Sequence, residues 1–189
     1  MWRNVLFVVL VILFNAANAS KYAAEVKHAE TSLQQGKYIL AADLEYHLSP
    51  QANEALQNGV PLFWQIKIKL QQKHDVWFNK TFSTSVLRYR LQYHALLNMY
   101  RVKNENTEET RNFSTLTAAL NVMATLRDFP LTLKENLLPN AHYLVAIKVF
   151  FEDEELPLPL QTQMIANPQW QLSSDWTQWN LPPPQPFKR

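Results

Sequence analysis

The chain has 189 residues, of which 47% are hydrophobic and 12% aromatic, and this is enough apolar material for one domain with its own core. The formal net charge of +2 lacks the strongly basic balance that is typical of nucleic-acid-binding proteins, so nucleic acid is not a predicted partner. Without cysteine and with only two glycines, the chain cannot form disulfides, thiolate metal sites, phosphate-binding glycine loops or a GxSxG nucleophile elbow.

The first nineteen residues have the pattern of a secretory signal peptide. Arg3 precedes an apolar run over 5–14, and small residues stand at Ala17 and Ala19. The alternative is a transmembrane anchor, but a helix over this run would span only about 15 Å, half of a ~30 Å hydrocarbon core. The sequence therefore predicts cleavage after Ala19 and a periplasmic or secreted protein that no longer spans the membrane.

The start of the mature chain can be interpreted in two ways. Residues 20–36 fit a weak helix that ends at Gly36, which propensity slightly favours, or the first half of a hairpin that turns at 34–37. From Tyr38 to Leu48, apolar and polar side chains alternate, and this alternation predicts a strand.

A short helix is predicted over 51–58. Ser49 has the residue type of an N-cap, Pro50 suits the first helical position, and Gly59 would end the helix because glycine adopts positive φ readily.

The centre of the chain shows two long alternating runs. The first covers 61–71. The second, 81–104, is the longest run in the chain with a side-chain period of two, and it has a break near Leu97 and Asn98. The chain would then turn at 104–107 and return through 113. If Glu105 and Asn106 form the turn, Lys103 faces Glu108 across the hairpin. These runs predict a central meander of strands.

A second helix is predicted over 115–126, because an apolar stripe at helical spacing follows Ser114, a good N-cap residue. The run 127–130 would end this helix. The run 142–151 has mostly apolar side chains on both faces, so it is predicted to be an interior strand.

The C-terminal part is rich in proline and tryptophan. The run 156–160 is predicted to be extended, 170–181 to hold a last aromatic strand, and 182–189 to be a mobile polyproline II tail. The chain thus has about seven strands and two helical insertions, without strand–helix alternation. This predicts a mainly β protein, an immunoglobulin-like antiparallel β-sandwich over residues 20–181.

Histidines and carboxylates are the candidates for chemistry. The five histidines, at 28, 47, 74, 94 and 142, show no metal-ligand spacing, so neither a metal nor a cofactor is predicted. His47 and His94 could meet only if their strands were neighbours. Asp43 and Glu45 lie on one face of a strand, as a hydrolase could use, but any outward strand face produces the same spacing.

Basic residues recur on the outward faces of three predicted strands. If these strands were adjacent, their side chains would form one cationic surface suited to an acidic partner. Ordinary solvation of long charged side chains is the simpler interpretation, and the two remain open. Similarly, Trp170, Trp176 and Trp179 could form a binding platform, although packing is the commoner role. The cations are Lys67, Lys69, Arg88, Arg90, Arg101 and Lys103.

Five segments in this order resemble the family called domain of unknown function 4390. They are ADLEYHLS at 42–49, EALQNGVPL at 54–62, YRLQYHAL at 89–96, LPLPL at 156–160 and WQLSSDW at 170–176, and the likeness runs from about 25 to 181. The resemblance implies an exported envelope protein of Gram-negative bacteria, of the type labelled proline-rich signal-peptide proteins. It also favours a hairpin over residues 25–36. The family has no assigned catalytic residues to carry over.

Two functions therefore stand as expectations. The first is a non-catalytic periplasmic adaptor that contacts an envelope protein, such as a sensor ectodomain, or an anionic envelope component. The alternative is a hydrolase of cell-wall material that uses Asp43 and Glu45. A cavity with converging carboxylates would favour the enzyme, and an exposed patch would favour the adaptor.

Export can be tested directly. Mass spectrometry of the protein from the periplasmic fraction of a Gram-negative host should show a chain that begins at Ser20, because cleavage after Ala19 follows from the spacing of the small residues. Recovery of the intact chain, with Met1, from the membrane fraction would contradict this prediction.

Overall fold

The computed structural model describes residues 22–73, 79–131, 137–138, 141–164 and 167–183. The predicted signal peptide, His74 and the end of the proline-rich tail lie outside these residues. In the part of the chain that is described, no helix is long and apolar enough to cross a membrane.

The described residues form nine strands and three α-helices. The helices are α1 (Pro50–Gln57), α2 (Leu116–Ala124) and α3 (Leu158–Met164). The strands are β1 (Glu25–Gln34), β2 (Lys37–Glu45), β3 (Leu62–Gln72), β4 (Lys80–His94), β5 (Met99–Asn104), β6 (Thr110–Phe113), β7 (Thr125–Pro130), β8 (Tyr143–Phe151) and β9 (Thr177–Asn180).

The strands form two antiparallel sheets. The small sheet has the order β1-β2-β7, and the large sheet has the order β6-β5-β4-β3-β8-β9. The predicted mainly β, antiparallel fold is confirmed, although with nine strands rather than about seven and three helices rather than two among the described residues. β8 lies between β3 and β9, so its predicted interior position is confirmed as well.

Alternating apolar residues from both sheets build one core. On β3, Leu62, Ile66 and Leu70 are buried, and on β2 the buried side chains include Leu40 and Leu44. Two hydrogen bonds join the N-terminal strands β1 and β2 to the C-terminal segment. The Trp179 Nε1–H donates to Thr31 Oγ1 at 2.9 Å, and the Tyr38 hydroxyl donates to the Pro182 carbonyl at 3.0 Å.

Local signals correctly placed α1 and the first turn. Ser49 Oγ accepts a hydrogen bond from the Ala52 N–H at 3.0 Å, and Gly59 has φ 82°. Gln35 and Gly36 have φ values of 49° and 78°, as expected for a two-residue hairpin turn. Residues 25–34 are therefore a strand, and the helix that propensity slightly favoured is wrong.

The second helix is shorter than predicted. Its N-cap is Thr115 rather than Ser114, with the Thr115 hydroxyl oxygen accepting from the Ala118 N–H at 3.2 Å. It ends at Ala124, since residues 125–130 form β7 and pair with β2. The hairpin register also differs, because Lys103 pairs with Thr110 instead of Glu108. The two predicted side chains still meet, with Lys103 Nζ 2.5 Å from Glu108 Oε2.

Two C-terminal predictions need correction. The run 156–160, predicted to be extended, leads into α3, whose Pro159 lies in the first turn where a helix needs no N–H donor. The predicted aromatic strand over 170–181 is reduced to β9, because Trp170 ends a 3₁₀ turn and is buried in the core.

The core makes a direct prediction. Leu91 in β4 and Ile147 in β8 flank β3 and are fully buried, so replacing either by alanine should lower the free energy of unfolding by about 2–5 kcal/mol. Leu96→Ala is the matched control, because that side chain is fully exposed and its loss should cost less than about 0.5 kcal/mol. Urea denaturation measures both. Losses under about 1 kcal/mol for both core variants would show that these two side chains do not face the core.

Candidate binding face

The outward face of the large sheet carries the six basic residues singled out from the sequence. β3, β4 and β5 are consecutive in the sheet, so the adjacency that a joint cationic surface requires is present. Arg90 lies opposite Lys103, and Arg101 opposite Gln92. The six cations do not, however, share one environment, and they divide into three groups.

Arg88 is held by two carboxylates. Its Nε lies 2.5 Å from Glu152 Oε2 and its Nη2 lies 2.7 Å from Glu155 Oε1, while the guanidinium covers the Phe63 ring at 4.9 Å. The hydrogen bond to Glu152 is the main reason that the pKa of Arg88 is raised. Arg88 is therefore a fixed part of the sheet surface.

Arg90, Lys103 and Arg101 also have partners. Glu105 bridges Arg90 and Lys103 with distances of 3.0 Å to each, and Glu108 adds a second carboxylate to Lys103. Hydrogen bonds to Glu108 and Glu105 raise the pKa of the Lys103 ammonium. Arg101 donates to Asn112 Oδ1 at 3.0 Å. The end of the face near the β5–β6 turn is thus largely neutralised.

Lys67, Lys69 and Lys148 form a different group, called here the lysine cluster. The ammonium nitrogens of Lys67 and Lys148 both lie 4.7 Å from the centre of the Phe150 ring, and that of Lys69 lies 4.5 Å from the Trp176 ring. The two rings meet edge to face, with centroids 5.8 Å apart. Three ammonium groups therefore contact one pair of packed aromatic rings.

The lysine cluster has no compensating carboxylate among the described residues. Lys67 and Lys148 are direct partners in the β3–β8 register, a position where like charges are destabilising. Cation–π contacts offset part of this repulsion. An anionic group bound over the cluster would remove the remaining repulsion.

The sequence interpretation did not identify Lys148 or Phe150 as part of the face. Both lie on β8, which was interpreted as an apolar interior strand, and only the pairing of β8 with β3 brings them beside Lys67. Of the three tryptophans considered, Trp170 and Trp179 have packing roles and Trp176 lies on the outward face.

The candidate catalytic carboxylates do not form a free pair. Asp43 is ion-paired with Arg127, and Glu45 lies 2.9 Å from the ammonium of Lys27. The hydrogen bond from Lys27 lowers the pKa of Glu45. On this exposed strand face, Asp43 is thus paired with Arg127, and Glu45 shares the Lys27 ammonium with Glu25.

Two observations argue against a metal or histidine site here. Glu25, Glu45 and His47 have ligand atoms within 4.8 Å of one another, but the Lys27 ammonium contacts both glutamates and takes the place of a cation. His47 follows β2 in the small sheet, whereas His94 ends β4 in the large sheet, so the two histidines do not belong to neighbouring strands.

Two grooves on the surface of the described residues lack converging carboxylates. A groove of about 650 Å³ between α2 and β4–β6 contains Glu109, but this side chain is ion-paired with Arg111 at 2.6 Å. A second groove, of about 490 Å³, is lined mainly by aromatic, aliphatic and proline residues, among them Tyr38, Leu138 and Pro182. Neither of these two grooves therefore offers a pair of free carboxylates to a bound molecule.

Comparison with known families gives one match. The sequence model of the family Domain of unknown function (DUF4390) matches residues 21–180. The chain belongs to this family. The match confirms the resemblance carried by the five sequence segments, and it covers both sheets of the DUF4390 domain. No curated protein and no solved structure compared with the chain gave a match.

The structural role of the ion pairs of Arg88 can be tested by charge reversal. Arg88→Glu places a third carboxylate beside Glu152 and Glu155 and removes two charge-assisted hydrogen bonds, so it should cost about 1–3 kcal/mol of stability. Arg101→Glu is the matched control, because Arg101 has no carboxylate partner among the described residues and its reversal should cost under about 0.5 kcal/mol. Equal losses in urea denaturation would show that the Arg88 ion pairs are not structural.

Proposed function

We propose that this DUF4390 domain is a non-catalytic binding or adaptor domain of the bacterial periplasm, and that it binds an acidic segment of an envelope protein. The lysine cluster is the observation that carries the proposal. Its three ammonium groups lack a carboxylate among the described residues, although the neighbouring cations on the same face have one or a polar partner. A signal-peptide pattern over 1–19 supports the location.

The chemistry of the cluster favours an acidic protein segment. Lysine ammonium groups act as point charges on flexible stems, so they can follow carboxylates at several spacings. Phe150 and Trp176 add rigid contact area, and aromatic residues are enriched at protein interfaces. An ectodomain of a sensor protein is one partner of this kind.

The hydrolase alternative receives no comparable support. Asp43 is paired with Arg127 and Glu45 with Lys27, and neither carboxylate lines the two grooves described above. A general acid and base would have to exchange protons with a substrate held between them.

Capture from periplasmic extract, followed by mass spectrometry, tests the proposal. Wild-type protein should retain a partner whose capture weakens as salt rises, and Lys67→Glu/Lys69→Glu should lose this partner because the cluster becomes net negative. The matched control is Lys37→Glu/Lys73→Glu, which makes the same change of charge at exposed positions outside the cluster. If both double variants retain the partner equally, the lysine cluster is ordinary surface.

A further inference from the structure

β4 is much longer than its neighbour on one side. β5 ends at Asn104, opposite Tyr89, whereas β4 begins at Lys80 and pairs with β3 from there to Leu91. Among the described residues, the part of β4 before Tyr89 therefore has no strand on the side away from β3. This part of β4 is therefore a sheet edge, although β4 is an interior strand of the large sheet.

The β5–β6 turn forms hydrogen bonds only to the part of this edge next to Tyr89. The Asn106 side-chain oxygen accepts from the Arg88 N–H at 2.6 Å, and its amide nitrogen donates to the Val86 carbonyl at 3.1 Å. The Glu105 N–H donates to the Arg88 carbonyl at 2.8 Å. Two residues of the turn thus take the place that a neighbouring strand would have at Arg88 and at the carbonyl of Val86.

The same contacts show which backbone groups are open. Since Arg88 and Val86 direct their backbone groups away from β3, the period of two places the N–H of Val86 and the N–H and carbonyl of Thr84 on that side as well. None of these three groups has a hydrogen-bond partner among the described residues. The register is regular from Ser83 onward and shifts only between Ser83 and Thr81.

The other edges of the two sheets carry features that protect an edge from pairing. β1 is interrupted by charges such as Glu25, Lys27 and Glu30, β7 contains Arg127, Asp128 and Pro130, and β6 and β9 have only four residues each. The segment from Ser83 to Leu87 has the sequence STSVL, with neither charge nor proline. It is the least protected edge in the described part of the chain.

We propose that residues 83–87 of β4 bind an extended acidic segment of the partner as an additional strand. This inference rests on the proposed function, because it assigns the way in which the acidic partner docks. Strand addition would give the open Thr84 and Val86 groups their missing partners.

The neighbouring side chains define the composition of the added strand. Lys69 and Lys67 lie opposite Thr84 and Val86 on β3, whose backbone would be two strand spacings, about 10 Å, from that of an added strand. Their ammonium groups lean the other way, over Phe150 and Trp176, so they would act on the added strand from a distance of about one Debye length at 0.1 M salt or more. Acidic side chains are therefore favoured on its outward face. Its other face would lie beside Ser83, Ser85 and Leu87, where small or apolar side chains fit. The expected segment alternates acidic and apolar residues.

The test uses a fluorescein-labelled peptide of about eight residues, a usual strand length, that alternates aspartate and valine. Fluorescence anisotropy should show that it binds the wild-type domain, and that Thr84→Pro weakens binding about tenfold or more because an N–H of the open edge is lost. Proline is tolerated at this position, since the Thr84 N–H makes no bond to β3. Thr84→Ala is the matched control and should bind within about twofold of wild type, because it keeps the N–H. Thermal melts confirm that both variants are folded.

The outcomes separate this inference from the proposed function. If Lys67→Glu/Lys69→Glu weakens peptide binding and Thr84→Pro does not, the acidic segment lies on the lysine cluster without strand addition, so the inference is wrong and the proposed function stands. Equal binding of a lysine–valine peptide, or no binding by the wild-type domain, would also overturn it. So would a dimer, seen by light scattering, that Thr84→Pro converts to a monomer, since a second copy of the chain would then occupy the edge.

Discussion

β3 pairs with β4 on one side and with β8 on the other along almost its whole length, and these two registers determine the rest of the molecule. Because side chains alternate between faces, the registers that bury Ile66 and Ile68 also point Lys67 and Lys69 outward. A slip of one residue would move the apolar set to solvent and the lysines into the core. The burial of the core therefore also fixes the position of the lysine cluster.

Positive charges on the outward face have two kinds of surroundings. At one end, the planar fork of Arg88 engages Glu152 and Glu155, a geometry that suits arginine and that fixes its side chain. At the other end, ammonium groups rest on Phe150 and Trp176 and keep their attraction for anions. The first arrangement stabilises the surface, and the second leaves electrostatic free energy available for association.

Much of the fold could be predicted from the sequence, because the period of apolar side chains and the residues that cap helices are local signals. They placed β3, β4, β8 and α1 close to their observed bounds. β7 was missed because residues 125 and 126 continue the helical stripe and 127–130 were interpreted as the end of that helix, whereas the segment becomes a strand through pairing with β2. The site was predictable in part: alternation gives the face of Lys67, but strand order is not local, so the neighbouring Lys148 could not be deduced. The pairing of Arg88 with Glu152 depends on the same long-range order.

The hydrogen bonds from Trp179 to Thr31 and from Tyr38 to Pro182 join residues that are 148 and 144 positions apart in sequence. Contacts of such high sequence separation form late, because the entropy of closing a long loop has to be overcome before they contribute any stability. The small sheet begins with β1 and β2, yet these two hydrogen bonds from it cannot form until β9 and Pro182 are present. Folding of this domain is therefore completed only when nearly the whole chain, including β9, is available for pairing.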